Sequence, residues 1–193
     1  MPVQPLRRQN ARALLRCSEP VDELPASSLK RSCVHVMKSS ILLFMQISLV
    51  HVGAISGVKD PCEVLVQSYL ERCSQFARCS TQAFRAEKVL LDWVGRQSGR
   101  TPAVLVLLDS RGKLLTSESF AAWVGKHRDA GARHIIFAIG PASGWTDDAR
   151  RQAQLLLSLG PMTLAHALAR LVVAEQVYRA VTILTGHPYH CGH

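Results

Sequence analysis

From Met45 onward, apolar and polar positions fall into blocks that predict strands and helices in turn. Ile47-Ser48-Leu49-Val50-His51-Val52 is a short, branched, mostly apolar run closed by Gly53, the pattern of a buried strand. Pro61 suits a first helical position, and Leu65, Tyr69, Cys73 and Phe76 follow at helical spacing, predicting a helix from Pro61 to about Phe76. Residues 79–84 read as a second strand, 87–94 as a helix with Val89, Leu90, Trp93 and Val94 on its apolar face, and 95–102 as a loop. Residues 103–108 are all apolar and are stopped by Asp109, Arg111 and Gly112, which predicts a strand buried on both faces. Thr116 or Ser117 caps a helix to about Asp129, Gly131 ends it, and residues 134–139 form another buried strand. Thr146-Asp147-Asp148 opens a short helix to about Leu156, and a last short strand falls within 157–164. A long helix runs from His166 to Thr185 and is stopped by Gly186 and Pro188.

Strands that alternate with helices predict an α/β fold with a largely parallel sheet flanked by helices. Residues 1–44 behave differently. They hold no sustained period, several prolines and a Ser-Ser pair, so they read as an N-terminal extension, disordered or lying upstream of a native start at Met45, with the folded domain at 45–193. The first 16 residues are Arg-rich and free of acids, as transit peptides are. The apolar stretch 41–58 is interrupted by Gln46, Ser48, His51, Ser56 and two glycines, which suits a strand and a glycine turn better than a membrane span.

An apolar content of 48% and a charged content of 19% exclude a disordered chain. The 23 basic residues outnumber the 14 acidic ones, and a net charge of +9 makes a phosphate backbone a natural partner. The six cysteines form no C-x-x-C pair and read as free thiols in a reducing compartment.

Candidate chemistry is confined to a few segments. The loop Ile139-Gly140-Pro141-Ala142-Ser143-Gly144 lies after a strand and before a helix, where parallel sheets bind ligands and glycine permits close approach of backbone. The chain has no G-x-G-x-x-G, so a Rossmann-type fingerprint is absent. Residues 157–164 read by themselves as an ordinary loop, with Met162 and Leu164 as core residues, entering the long helix, in which Arg170, Glu175 and Arg179 form a sparse charged stripe. The tail His187-Pro188-Tyr189-His190-Cys191-Gly192-His193 holds metal-ligand residue types. Its spacing is too compressed for a zinc finger and it lacks a rigid surround, so no metal is expected.

The run Pro161 to His166, with Arg170, Glu175-Gln176-Val177-Tyr178-Arg179-Ala180 and Gly186-His187-Pro188-Tyr189-His190, resembles the C-terminal half of the ribosomal RNA large subunit methyltransferase H family, a member of the knotted SPOUT class. The resemblance covers nearly all of 45–193 and is strongest from Val104 to His190. It implies an α/β fold with a C-terminal trefoil knot, which ordinary connection rules do not produce. It implies S-adenosylmethionine as methyl donor, held by Leu108, Gly140, Leu159, Gly160, Pro161, Met162, Thr163 and Leu164. It also implies methyl transfer to N3 of a pseudouridine in large-subunit (23S) ribosomal RNA of the assembled ribosome. Arg179, Tyr189 and His190 are expected around the base, His166 nearby, and Arg170 near RNA or a dimer contact. A cytoplasmic homodimer without membrane association or structural metal follows, one subunit's tail completing its partner's pocket. The chain departs from the family pattern at Pro141 (glycine), Ala165 (proline) and Cys191 (a basic residue). Those departures motivate an alternative: a catalytically degenerate ribosome- or RNA-binding protein on the same fold.

Overall fold

The computed structural model describes residues 45–54, 60–97 and 101–190. The readings of 1–44, Cys191 and His193 lie outside the described residues. Five strands form one parallel sheet: β1 (Gln46–Val52), β2 (Arg78–Phe84), β3 (Val104–Leu114), β4 (His134–Ile139) and β5 (Leu155–Ser158), in the order β2-β1-β4-β3-β5. Five helices connect or follow them: α1 (Pro61–Cys73), α2 (Glu87–Arg96), α3 (Ser117–Asp129), α4 (Asp147–Gln152) and α5 (His166–Thr185), and a 3₁₀ turn closes at Pro188–His190.

Side chains on successive strand positions serve opposite faces. Ile47, Leu49, Val106, Ile135, Phe137 and Leu157 pack with residues of α1, α3 and α5, among them Leu70, Phe120 and Val177. Val50, Leu105, Leu107, Ile136 and Ala138 pack with Leu90 of α2, Ala149 of α4 and Trp145. Burial on both faces is why β1, β3 and β4 read as continuous apolar runs. No helix among the described residues is long and apolar enough to cross a membrane.

Several boundaries differ from the sequence expectation. α1 stops at Cys73, short of Phe76, because the Ser74 hydroxyl donates to the Leu70 carbonyl and closes the helix. α4 stops at Gln152, short of Leu156, because Ala153 turns extended and Gln154 is stitched to β3: its N–H donates to the Leu105 carbonyl (2.9 Å) and its side-chain oxygen accepts from the Leu105 N–H (2.6 Å). That releases Leu155, Leu156 and Leu157 to pair with Val106, Leu107 and Leu108, so β5 begins two residues before the expected 157–164 segment.

β3 is the larger correction. Asp109 and Gly112 do not stop it. Leu157 pairs first with Leu108 and again with Lys113, and Leu114 pairs with Ser158. Residues 109–112 therefore bulge past β5 before pairing resumes. At Gly112 a Cβ would lie 2.6–2.7 Å from backbone atoms of Leu156 and Leu157, so one chain crosses directly against the other where only glycine fits.

Candidate active site

The bulge within β3 and the carboxyl ends of β4 and β5 open into a cleft of about 430 Å³, within the range of small-molecule sites and at the edge where parallel sheets bind ligands. Three segments build it. From the middle of β3, where its bulge begins, come Leu108 and Asp109; from the loop after β4 come Gly140, Pro141 and Trp145; the third wall is the β5–α5 loop. All eight residues expected to hold the methyl donor line this cleft: Leu108, Gly140, and the run Leu159, Gly160, Pro161, Met162, Thr163, Leu164. His166, the first residue of α5, lines it too.

The floor is set by Gly140 and Trp145. The Trp145 indole is buried, and its Nε1–H donates to the Leu108 carbonyl at 2.9 Å, tying the β4 loop to β3. A Cβ on Gly140 would meet the indole at 2.8–2.9 Å. Pro141, where the resemblance leads one to expect glycine, fits its turn here. The turn it opens uses its carbonyl, which accepts from the Gly144 N–H at 2.8 Å, and places the positive φ (79°) on Gly144. The missing proline N–H costs that turn nothing.

The third wall is a loose strap. Gly160 takes φ 131°, and the Ser158 hydroxyl bonds to both backbone groups of Gly160. Met162 is 80% exposed, not a core residue as its chemistry alone suggests. α5 begins after Ala165, which offers no side-chain cap, so the first N–H groups of the helix are left for solvent or a ligand.

An ion-pair network that the sequence reading missed braces the β3 bulge. The Asp109 carboxylate accepts from the Arg111 N–H (2.8 Å) and from Arg150 Nε (2.6 Å), and Arg150 also pairs with Asp147 (2.8 Å). Burial alone would raise the Asp109 carboxyl, but the Arg111 N–H and the Arg150 guanidinium outweigh it and hold it below the usual carboxylate value. Stability from a depressed carboxyl is present above its unfolded value and is lost as pH falls through the folded one. Asp109→Asn is therefore expected to cost roughly 2 kcal/mol at pH 7 and much less near pH 3. Urea unfolding at the two pH values measures the difference.

The other expected residues lie elsewhere. Arg179 is thirteen residues along α5 from His166, roughly 20 Å by helical rise. There Glu175 accepts from Arg179 Nε (3.0 Å) and Nη2 (2.7 Å) and from the Tyr189 hydroxyl (3.2 Å). The Arg179 guanidinium lies over the Tyr189 ring, 5.0 Å from its centroid, and Tyr189 packs edge-on against Tyr178. Burial, the Tyr69 hydroxyl and the Glu175 charge raise the Tyr189 phenol. The i,i+4 pairing of Glu175 with Arg179 thus exists, and it presents the arginine with Tyr189 as one unit. His190 ends the 3₁₀ turn beside them in sequence. Arg179 and Tyr189 are not among the residues that line the cleft of their own subunit.

Arg170 corrects an expectation. It does not face outward toward RNA or a partner: it is 3% exposed, and its Nη2 pairs with Glu63 of α1. Burial works against the Glu63 carboxylate, and the Gln67 amide and Arg170 outweigh it and depress its value. Among the described residues no cluster of three His, Cys, Asp or Glu side chains is placed to hold a metal ion.

With this geometry in place, the comparisons with known proteins are specific. A family model described as "Predicted SPOUT methyltransferase" matches residues 45–190. The ribosomal RNA large subunit methyltransferase H of Koribacter versatilis (strain Ellin345) is 44% identical over 149 residues, 77% of this chain and 100% of that protein. The enzyme of the same name from Allorhizobium ampelinum is 40% identical over 160 residues, 76% of this chain and 99% of that one. Among solved structures, the SpoU methyltransferase AviRb from Streptomyces viridochromogenes in complex with the cofactor AdoMet aligns with a TM-score of 0.41 at 14% identity, covering 71% of this chain and 57% of that one. The match over 45–190 and the full-length relatives establish that the chain belongs to the SPOUT methyltransferases and, within them, to the ribosomal RNA large subunit methyltransferase H family.

Proposed function

We propose that the chain transfers a methyl group from S-adenosylmethionine to N3 of a pseudouridine in large-subunit (23S) ribosomal RNA of the assembled ribosome, as a cytoplasmic homodimer whose domain is 45–193. The observation that carries the reading is the glycine-floored cleft at the carboxyl edge of the sheet, lined by the residues of three separate segments. Its chemistry suits the donor. Leu108, Leu159 and Leu164 would supply apolar walls for an adenine, backbone groups of 159–164 would be available to its polar edge, and a side chain at Gly140 would press on Trp145. The bound cofactor supplies an electrophilic methyl on a sulfonium. The C-terminal trefoil knot belongs to this reading.

The chain's own residues have three tasks: to align the acceptor nitrogen with the methyl, to let the N3 proton leave, and to steady charge on the flanking carbonyls. Arg179 and Tyr189, presented together by Glu175, fit the third task, with His190 beside them and His166 on the cleft wall. Because they stand at the far end of α5, a second subunit must bring its Arg179 end to this subunit's cleft. Exposed apolar residues favour such a contact: Leu114, Met162, Leu168 and Val172. The moderately basic chain favours an RNA acceptor. The fit of Pro141 into its turn speaks for an active enzyme over a degenerate binder.

The test is calorimetric titration of S-adenosylmethionine into the full-length protein with light scattering on the same sample. Micromolar binding to a dimer is expected; a folded protein that binds no donor refutes the reading. Arg179→Lys keeps the charge but loses the two-nitrogen grip on Glu175 and the planar stack on Tyr189. It is expected to lower the methylation rate about tenfold with donor affinity unchanged, which single-turnover assays on ribosomes would read.

A further inference from the structure

His51 stands in a mostly apolar strand and is 3% exposed. It shares the sheet face of Ile47 and Leu49, beneath the start of α5. Its Nε2 lies 3.3 Å from the Ala54 carbonyl and donates to it. That assigns Nδ1 as the unprotonated nitrogen, and Nδ1 is buried without a hydrogen-bond partner among the described residues. The ring meets the His166 ring edge to face, centroids 5.4 Å apart. The charged and titratable groups facing it are His166 and Arg170 from α5 and Glu63 from α1, the last two paired with each other.

We propose that His51 is a positioning residue: acting through His166, it keeps the cleft wall dry and uncharged, and so makes the cleft accept a cationic sulfonium donor. The inference rests on the reading of the cleft as a methyl-donor site. Burial first, then the Arg170 charge, lower His51 to about 4. The same two causes hold His166 below its ordinary value, against backbone contacts with Gly140 and Val52 that act to raise it. Both rings are therefore held further toward the neutral form than a free imidazole. S-Adenosylmethionine carries a positive sulfur, whereas its demethylated product, S-adenosylhomocysteine, does not, and the two share every other charged group. An imidazolium at His166 would repel the donor and spare the product. Removing His51 admits water beside His166, relieves its burial and lets its value rise, so that charge appears at a higher pH than in the wild type.

The experiment titrates both ligands into full-length wild-type, His51→Ala and His51→Phe proteins at pH 6 and pH 8, with the His166 C2–H resonance followed by NMR. At pH 6, His51→Ala is expected to bind S-adenosylmethionine about tenfold more weakly, and S-adenosylhomocysteine within about twofold of wild type. At pH 8 both ligands return toward wild-type affinity. The His166 titration midpoint rises in His51→Ala, and His51→Phe, which keeps a ring edge on His166, follows the wild type. Equal weakening of both ligands at both pH values, or an unchanged His166 midpoint, overturns the proposal. Wild-type protein that binds neither ligand overturns the donor-site reading instead, and is told apart because the variants then play no part in the result.

Discussion

Gly112→Ala is expected to destabilise the protein by about 3 kcal/mol or more, the upper range for forced overpacking. The reason is the crossing of β3 over β5. The new Cβ would sit 2.6 Å from the Leu156 carbonyl carbon, 2.7 Å from its oxygen and 2.7 Å from the Leu157 carbonyl carbon. All three are backbone atoms, and both strands are held in register on either side of the contact: Leu107 to Leu156 and Leu108 to Leu157 before it, Lys113 to Leu157 and Leu114 to Ser158 after it. No side-chain rotation can relieve the clash. The bulge must open, and with it go the Asp109 bonds to the Arg111 N–H and to Arg150. Thermal unfolding should show the loss as a fall in Tm of several degrees to about 10 °C for a chain of this size. A variant as stable as wild type would mean that the two chains do not cross in contact.

Gly140→Ala is expected to leave the fold largely intact while weakening S-adenosylmethionine binding by about a hundredfold, or ~2.8 kcal/mol. Here the obstacle is a side chain. The added methyl would press on Cε2 (2.8 Å) and Nε1 (2.9 Å) of Trp145, whose indole is 4% exposed and bonded to the Leu108 carbonyl. The indole can move only by breaking that bond and shifting Leu108, one of the cleft walls, or by pushing Gly140 into the space reserved for the ligand. Calorimetry reads the affinity, and the changed indole environment should appear in near-ultraviolet circular dichroism. Unaltered affinity would remove Gly140 from the cleft floor. Gly140 and Gly112 both look like loop glycines in sequence, but a Cβ at the first meets the Trp145 side chain on the cleft floor, and at the second the backbone of β5.

Much of the architecture could be read in the chain because burial on both faces writes itself as unbroken apolar runs. The runs 47–52, 103–108 and 134–139 became the three central strands, and the capping Thr116 and the stop at Gly186 fixed the ends of α3 and α5. β3 was mis-ended because Asp109 and Gly112 carry the composition of a turn; a bulge and a turn use the same residues, and only the partner strand distinguishes them. α4 was overrun because its stop depends on Gln154 bonding to Leu105, 49 positions away.

The candidate site divides the same way. The residues that line the cleft lie in three segments whose order the family resemblance supplied. Periodicity would have assigned Met162 and Leu164 to a core. Trp145, Arg150 and Asp109 escaped notice because nothing in their local spacing marks them; they act through one another across the fold. His51 was visible only as an interruption in an apolar run, and its meaning came from His166, more than a hundred residues later. Arg170 was misplaced for the converse reason. An arginine on a long helix reads as a surface cation until the facing helix is seen to present Glu63.

The most direct test of the central claim is methyl transfer itself. Full-length protein and isotopically methyl-labelled S-adenosylmethionine are incubated with assembled ribosomes that lack the modification, and the large-subunit RNA is digested and mapped by mass spectrometry. The account predicts one labelled methyl per large subunit, on N3 of a pseudouridine, with free RNA a poor acceptor. Label on a different base, or none on large-subunit RNA from a protein that binds the donor, would contradict it.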